Sequence, residues 1–296
     1  MPDGKVAIVT DSTASLSREL AEQHNILVVP VSVIIGDVAY DEGTIAPARI
    51  AQALLEGIAV TTSRPSPEAF AEAFRVATSY GARRIVSVHL PQGLSGTYES
   101  ALWASKHAQV PVTVIDANTT GMALGYAAIA GARFAAAGVA LDGVVDAVRE
   151  TAARSFLGVY VESLDYLRRG GRVTAARAIV GTALRFHPLL QMSSTGEVQV
   201  VERVRTRARA LAHLVDRAVS SASDGSGRVD VAVHHVVASE VMTDVLRNDL
   251  NRVEGLLRAA LGERINNFCV VPLSAALAAH VGPDAISIAL TPVLSE

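Results

Sequence analysis

Residues 85–97 read Ile85-Val86-Ser87-Val88-His89-Leu90-Pro91-Gln92-Gly93-Leu94-Ser95-Gly96-Thr97, and the chain on either side repeats their plan. The β-branched run Ile85–Leu90 predicts a strand, a glycine-containing stretch follows, and Gly96–His107 predicts a helix. Upstream, Ser66-Pro67-Glu68 combines an N-cap serine, a proline at the first helical position and an early acid. That combination predicts a helix running to Tyr80 and stopped at Gly81. Downstream, Val112–Ile115 predicts a strand and Thr120–Ala137 an alanine-rich helix ending near Gly138. Nearer the N-terminus, Val6–Val9 predicts a strand, Leu16 and Leu20 a short helix, and Ile26–Ile35 a long central strand. Strand and helix in alternation predict an α/β fold whose parallel sheet is covered on both faces.

The second half is less regular. Phe156–Val161 and Pro188–Met192 predict strands, and Ser194-Thr195-Gly196 a turn leading into Glu197–Val204, a hairpin pattern. Thr206–Ser220 predicts a helix and Ser223–Gly227 a loop of small residues. Val229–Val233, Ser239–Leu257, Ile265–Val271, Ser274–His280 and Ala285–Leu290 then repeat the strand and helix theme. The expectation is two α/β domains, 1–155 and 156–296. The first has a parallel sheet with helices on both faces, the second a mixed sheet, and a ligand sits between them.

Composition narrows the function classes. Of 296 residues, 50% are hydrophobic, 19% charged and only 4% aromatic, so the core is built from Ala, Val, Leu and Ile. A net charge of −3 lacks the basic surplus of a nucleic-acid binder. The single Cys269 excludes an internal disulfide framework and a cysteine zinc cluster. No signal pattern opens the chain, and its longest charge-free apolar stretch, Ala117–Ala132, falls short of the ~20 residues of a membrane helix. The expected location is the cytoplasm.

In open α/β sheets, ligands bind beyond the carboxyl ends of the strands. Three first-half strands run into polar clusters, Asp11-Ser12-Thr13, Ser95-Gly96-Thr97 and Asp116, and a fourth cluster, Thr61-Thr62-Ser63, precedes the proline-started helix. One such cluster is ordinarily a cap or a turn; several at one edge suggest a site. Gly93–Thr97 is the most informative. Its glycines allow close backbone approach, the following helix aims unpaired N–H groups at the same spot, and Ser95 and Thr97 add hydroxyls, which suits an anionic oxygen. The stretch is too short for a P-loop, and its second glycine comes one residue early for an esterase elbow.

Six segments in register then resemble one family. Asp11-Ser12-Thr13, Thr61-Thr62-Ser63-Arg64-Pro65-Ser66, Leu94-Ser95-Gly96-Thr97-Tyr98 and Leu164-Asp165-Tyr166-Leu167-Arg168-Arg169-Gly170-Gly171-Arg172 come in the order seen in the DegV family. Arg185-Phe186-His187-Pro188-Leu189-Leu190 and Ala279-His280-Val281-Gly282-Pro283 resemble its later segments. Leu90-Pro91 replaces a usual serine pair, His187 a usual lysine and Asp284 a glycine, and Asp116-Ala117 lacks a frequent Asp-Ser. The resemblance implies a bacterial fatty-acid-binding protein of two α/β domains with no cofactor. It implies a long-chain fatty acid as ligand, handed to a separate fatty acid kinase, and Thr62 and Ser95 as the holders of its carboxylate. Thr61, Arg172 and His280 stand close behind, with Gly96 and Thr97 completing the loop. Burying about fifteen methylenes at ~0.8 kcal/mol each yields ~12 kcal/mol gross, which suits a core so poor in aromatics. A transient membrane-surface contact is the remaining expected partner.

The alternative from another class is a serine acyl hydrolase using Ser95, His280 and an unassigned acid. Other candidates read as structure. Arg203, Arg205, Arg207 and Arg209 fan around a strand-to-helix junction rather than forming one stripe. His234 and His235 face opposite ways in a strand and cannot share a metal, and His24 and His107 lie near helix ends.

Overall fold

A computed structural model describes residues 5–172, 186–222, 227–236 and 242–295. Parts of three sequence expectations lie outside these residues: Arg185, the start of the Ser223–Gly227 loop, and the start of the Ser239–Leu257 helix.

In the first half, β1 (Val6–Asp11), β2 (Ile26–Val29), β6 (Arg84–His89) and β7 (Val112–Asp116) form a parallel sheet in the order β2-β1-β6-β7. Strand alternation sends Ile8, Val86 and Val88 to one face, where α5 (Gly121–Ala136) and α6 (Leu141–Arg154) pack. Val9 and Ile85 point to the other face, against α3 (Pro67–Ser79) and α4 (Thr97–Ser105). Ser66 caps α3 through Ala69 N–H, as the sequence predicts.

The expected long strand Ile26–Ile35 is two strands. Pro30 interrupts the run. Ile26–Val29 stays in the parallel sheet, at its edge rather than its centre, and Ser32–Ile35 (β3) enters a separate antiparallel sheet. That small sheet, ordered β4-β3-β5, adds β4 (Val38–Asp41) and β5 (Val60–Ser63), the latter containing Thr61, Thr62 and Ser63. These strands and α2 (Pro47–Leu55) escaped the sequence reading, as did α6.

The second sheet contains β8 (Phe156–Tyr160), β9 (His187–Met192), β10 (Val198–Val204), β11 (Val229–His235), β12 (Ile265–Pro272) and β13 (Ile286–Pro292), in the order β10-β9-β8-β13-β11-β12. Only β11 and β12 run parallel; the other pairs are antiparallel, so the sheet is mixed. One face carries Phe156, Tyr160, Leu189, Ile286 and Ile288 against α8 (Arg207–Ser221) and α9 (Asp244–Leu261). The other face, with Leu157, Ala232 and Ala289, meets Met122, Ala123 and Tyr126 of α5.

Helix α5 therefore lies between the two sheets, and its first eight residues, Gly121–Ala128, are buried on every side. Its small residues permit this. A methyl on Gly125 would stand 2.8 Å from the Ala14 carbonyl oxygen, so larger side chains would push the helix off the turn after β1. Its N-terminus is held from the other sheet, where Met122 N–H donates to His234 Nε2 at 3.0 Å. His234 is fully buried, and desolvation lowers its pKa to about 4, which keeps this nitrogen free to accept.

Candidate functional site

A cavity of about 110 Å³ lies between the sheets. Most of its wall is aliphatic: Leu157 and Val159 of β8, Leu190 and Met192 of β9, Val198 of β10, and Leu273, Leu277 and Val281 around α10 (Ala275–Val281). Polar groups enter from few places. Thr62, Ser95, Arg172 and His280 all line it, together with Thr13, Thr120, Gln191 and Ser287.

The first four are linked. Thr62 Oγ1 lies 3.0 Å from His280 Nε2, which joins β5 to α10. The other side of the imidazole rests on Gly170, at the end of α7 (Asp165–Gly170), where a methyl would come within 2.3 Å of Nδ1. The Gly170 carbonyl accepts from Arg172 Nη1, and Arg172 Nε donates to the Leu94 carbonyl at 3.3 Å, next to Ser95. Ser95 Oγ and Thr97 Oγ1 are 2.9 Å apart. Burial, with the Arg172 charge adding to it, pushes His280 down to about 4, so the imidazole is neutral at physiological pH. Among the described residues, the only fixed charge on the cavity wall is then the Arg172 guanidinium.

Three sequence-predicted residues stand apart from the wall. Thr61 alternates with Thr62 along β5 and is exposed on its outer face, a departure from its expected place close behind the site. Gly96 and Thr97 form the turn into α4. Thr97 is fully buried and acts through its hydroxyl contact with Ser95, and no side chain caps the helix at Gly96. Asp116 also stays outside, bracing loops by accepting from Gln92 N–H at 3.0 Å and Asn118 N–H at 2.9 Å.

Thr13 and Leu90, both on the wall, are held by a buried network that sequence reading missed. Asp11 accepts from Thr13 N–H at 3.0 Å, from Thr13 Oγ1 at 2.5 Å and from Leu90 N–H at 3.4 Å, and it lies 2.9 Å from His89 Nδ1. His89 Nε2 in turn lies 2.7 Å from Ser87 Oγ. This has the make-up of a Ser-His-Asp triad, yet all three side chains are wholly buried and Ser87 does not line the cavity. Its place is structural. The only advance signal was Asp11-Ser12-Thr13 at the end of a strand.

A further brace lies just outside. Glu42 accepts from Ser12 Oγ at 2.5 Å and from the N–H groups of Ala275 and Ala276, tying the small sheet to α10. Burial raises its pKa to about 7. The unusual Asp284 also finds an account: it adopts φ 58°, the left-handed conformation that favours the glycine expected there.

Ser95 and His280 thus share a wall, but each is hydrogen-bonded to a threonine, not to the other. Among the described residues, no group of three or more His, Cys, Asp or Glu could hold a metal ion, and no helix is long and apolar enough to cross a membrane.

A family profile described as "Uncharacterised protein, DegV family" matches residues 5–293. A DegV domain-containing protein of Streptomyces coelicolor is 42% identical over 287 residues, covering 97% of this chain and 98% of its own. Among solved structures, a Thermus thermophilus DegV family protein, described by its fatty acid binding, superposes with a TM-score of 0.87 at 28% identity, covering 98% of this chain and 100% of its own. A DegV family protein from Corynebacterium glutamicum gives 0.80 at 28% identity, over 99% and 100%. The chain's α/β architecture, its matching segments and these relatives agree that it belongs to the DegV family.

Proposed function

We propose that this protein binds a long-chain fatty acid in the cavity between its sheets and presents the carboxylate to a partner fatty acid kinase, without catalysing a reaction itself. One observation carries the reading: an aliphatic cavity with Thr62, Ser95, Arg172 and His280 linked at its polar end. An acyl chain gains from the aliphatic wall, while its carboxylate needs donors and a counter-charge, since a buried unpaired anion is costly. Two hydroxyls, a neutral imidazole and one guanidinium meet that need without a metal. Thr62 and Ser95 donate to the carboxylate, Arg172 neutralises it, and His280 fixes Thr62. Gly96 and Thr97 support Ser95 from behind, while Thr61, on the outer face of β5, takes no part. The Thermus thermophilus relative described by its fatty acid binding supports the ligand class.

In the same reading the domains are 1–155, which supplies Thr62 and Ser95, and 156–296, which supplies Arg172, His280 and the aliphatic wall. The protein works in the cytoplasm, needs no cofactor, touches membrane surfaces transiently and binds no nucleic acid. The test is mass spectrometry of an organic extract of the purified protein, followed by incubation with ATP with and without the kinase. The expected result is one intact fatty acid per chain, with acyl phosphate formed only when the kinase is present. Protein without lipid that turns over nitrophenyl esters would instead support a serine acyl hydrolase using Ser95 and His280.

A further inference from the structure

Among the described residues, five hydroxyl-bearing side chains line the cavity, and four of them are engaged. Thr62 meets His280, Ser95 meets Thr97, Thr13 donates to Asp11, and Thr120 donates to the Thr13 carbonyl at 3.3 Å. Ser287 is the fifth. It lies within β13, is 3% exposed, and its hydroxyl makes no hydrogen bond among the described residues.

Strand alternation fixes where that hydroxyl points. Ile286 and Ile288 face α8 and α9, so Ser287 between them faces the cavity. Its cross-strand neighbours are Val159, which shares the wall, and His234. Neither offers an acceptor. Val159 is apolar, and His234 Nε2 already accepts from Met122 N–H, which leaves the proton of the neutral ring on Nδ1. A serine in a helix can turn back to a carbonyl of the preceding turn, but a strand provides none.

A hydroxyl left unpaired in an aliphatic wall is a cost that alanine would avoid at nearly the same volume. A plain saturated chain leaves that cost standing, whereas a chain carrying its own oxygen removes it. That oxygen must be neutral. The one fixed charge on the described wall, Arg172, is held at the head group end by the Leu94 and Gly170 carbonyls. We propose that Ser287 forms a second polar subsite within the aliphatic part of the cavity, selecting a hydroxy- or oxo-substituted acyl chain over the plain saturated one. The inference rests on the lipid reading of the cavity.

The probes are stearate and sets of hydroxystearates and oxostearates substituted at successive carbons along the chain. They are titrated into delipidated parent and Ser287→Ala proteins, with thermal melts confirming that both are folded. In the parent, at least one oxygenated isomer is expected to bind as tightly as stearate or more tightly. Ser287→Ala should weaken that isomer by about tenfold while changing stearate by less than about threefold, because only the oxygenated chain loses its partner. Equal changes for stearate and that isomer would make Ser287 a matter of volume and overturn the proposal. A parent that binds stearate more tightly than every oxygenated isomer overturns it without any variant and leaves the lipid reading standing. A parent that binds none of these chains overturns both.

Discussion

The two large sheets contribute to the cavity in different ways. The parallel sheet meets it with strand ends: the turns after β1 and β6 bring Thr13, Leu90 and Ser95 to its wall. The mixed sheet meets it with a face: Leu157 and Val159 alternate along β8 with Phe156 and Tyr160, which face the helices behind. Parallel strands all finish at one edge, so their loops gather polar groups there. Antiparallel strands alternate their side chains, so a continuous apolar wall costs no exposed backbone. Where these two sheets meet the cavity, strand direction separates polar loop residues from apolar wall residues.

The most severe way to break this division is to place a charge on the wall. Val159→Asp should abolish lipid retention in an extraction and mass-spectrometry assay and lower stability by about 3 kcal/mol, because its strand neighbours, Leu190 and Ser287, offer no counter-charge to the new anion. A Val159→Asp protein that keeps its lipid would show that the acyl chain lies elsewhere.

Removing a donor from the other side should be milder and leave the fold intact. Ser95→Ala should weaken fatty acid binding roughly ten- to a hundredfold, the worth of one hydrogen bond to a charged group, with the melting temperature unchanged. Thr62→Ala should act similarly, and the double variant should lose less than the sum, because both hydroxyls serve one carboxylate. Strict additivity in a fluorescent fatty acid titration would separate the two residues.

The pH dependence sharpens the contrast further. His280 has its pKa lowered from 6.5 to about 4, so the folded state resists a proton that the unfolded chain accepts. Its contribution is complete above pH 6.5 and fades as pH falls toward 4, by at most about 3 kcal/mol. His234 acts in the same sense, while Glu42, raised from 4.5 to about 7, loses its contribution as pH rises through that window. The readout is therefore a difference: His280→Gln should flatten the acid limb of the stability curve relative to the parent, measured by denaturant unfolding between pH 4 and 7. An unchanged limb would mean that the imidazole is already protonated or solvated. The smallest effects belong outside the cavity. His24→Ala should leave fatty acid affinity unchanged, and Thr61→Ala should cost far less than Thr62→Ala despite their adjacency.

Legibility in the sequence follows the same physical divide. Strand-to-helix units with local punctuation, such as Ser66-Pro67 before α3 and Gly93–Gly96 before α4, could be read because each signal lies within a few residues of its effect. The division of Ile26–Ile35 at Pro30 was visible in principle, since proline ends a ladder, but periodicity alone ran the two strands together. The small sheet was missed because its strands are four residues each, too short to show alternation. Ser95 and Thr62 were nameable from local motifs and the family likeness. The buried Asp11–His89–Ser87 network was not, because its links span up to 79 positions and have no local pattern.

One contact also bears on how the molecule is made. Thr62 and His280 are 218 positions apart. At roughly 5–20 residues per second, a ribosome adds that much chain in about 10–40 s. The parallel sheet, with Ser95 at its edge, is synthesised well before α10 emerges, so the nascent protein carries Thr62 and Ser95 without Leu277, His280 and Val281 of the cavity wall. The cavity cannot enclose a ligand during that interval. Any occupant is enclosed only after α10 has joined Thr62.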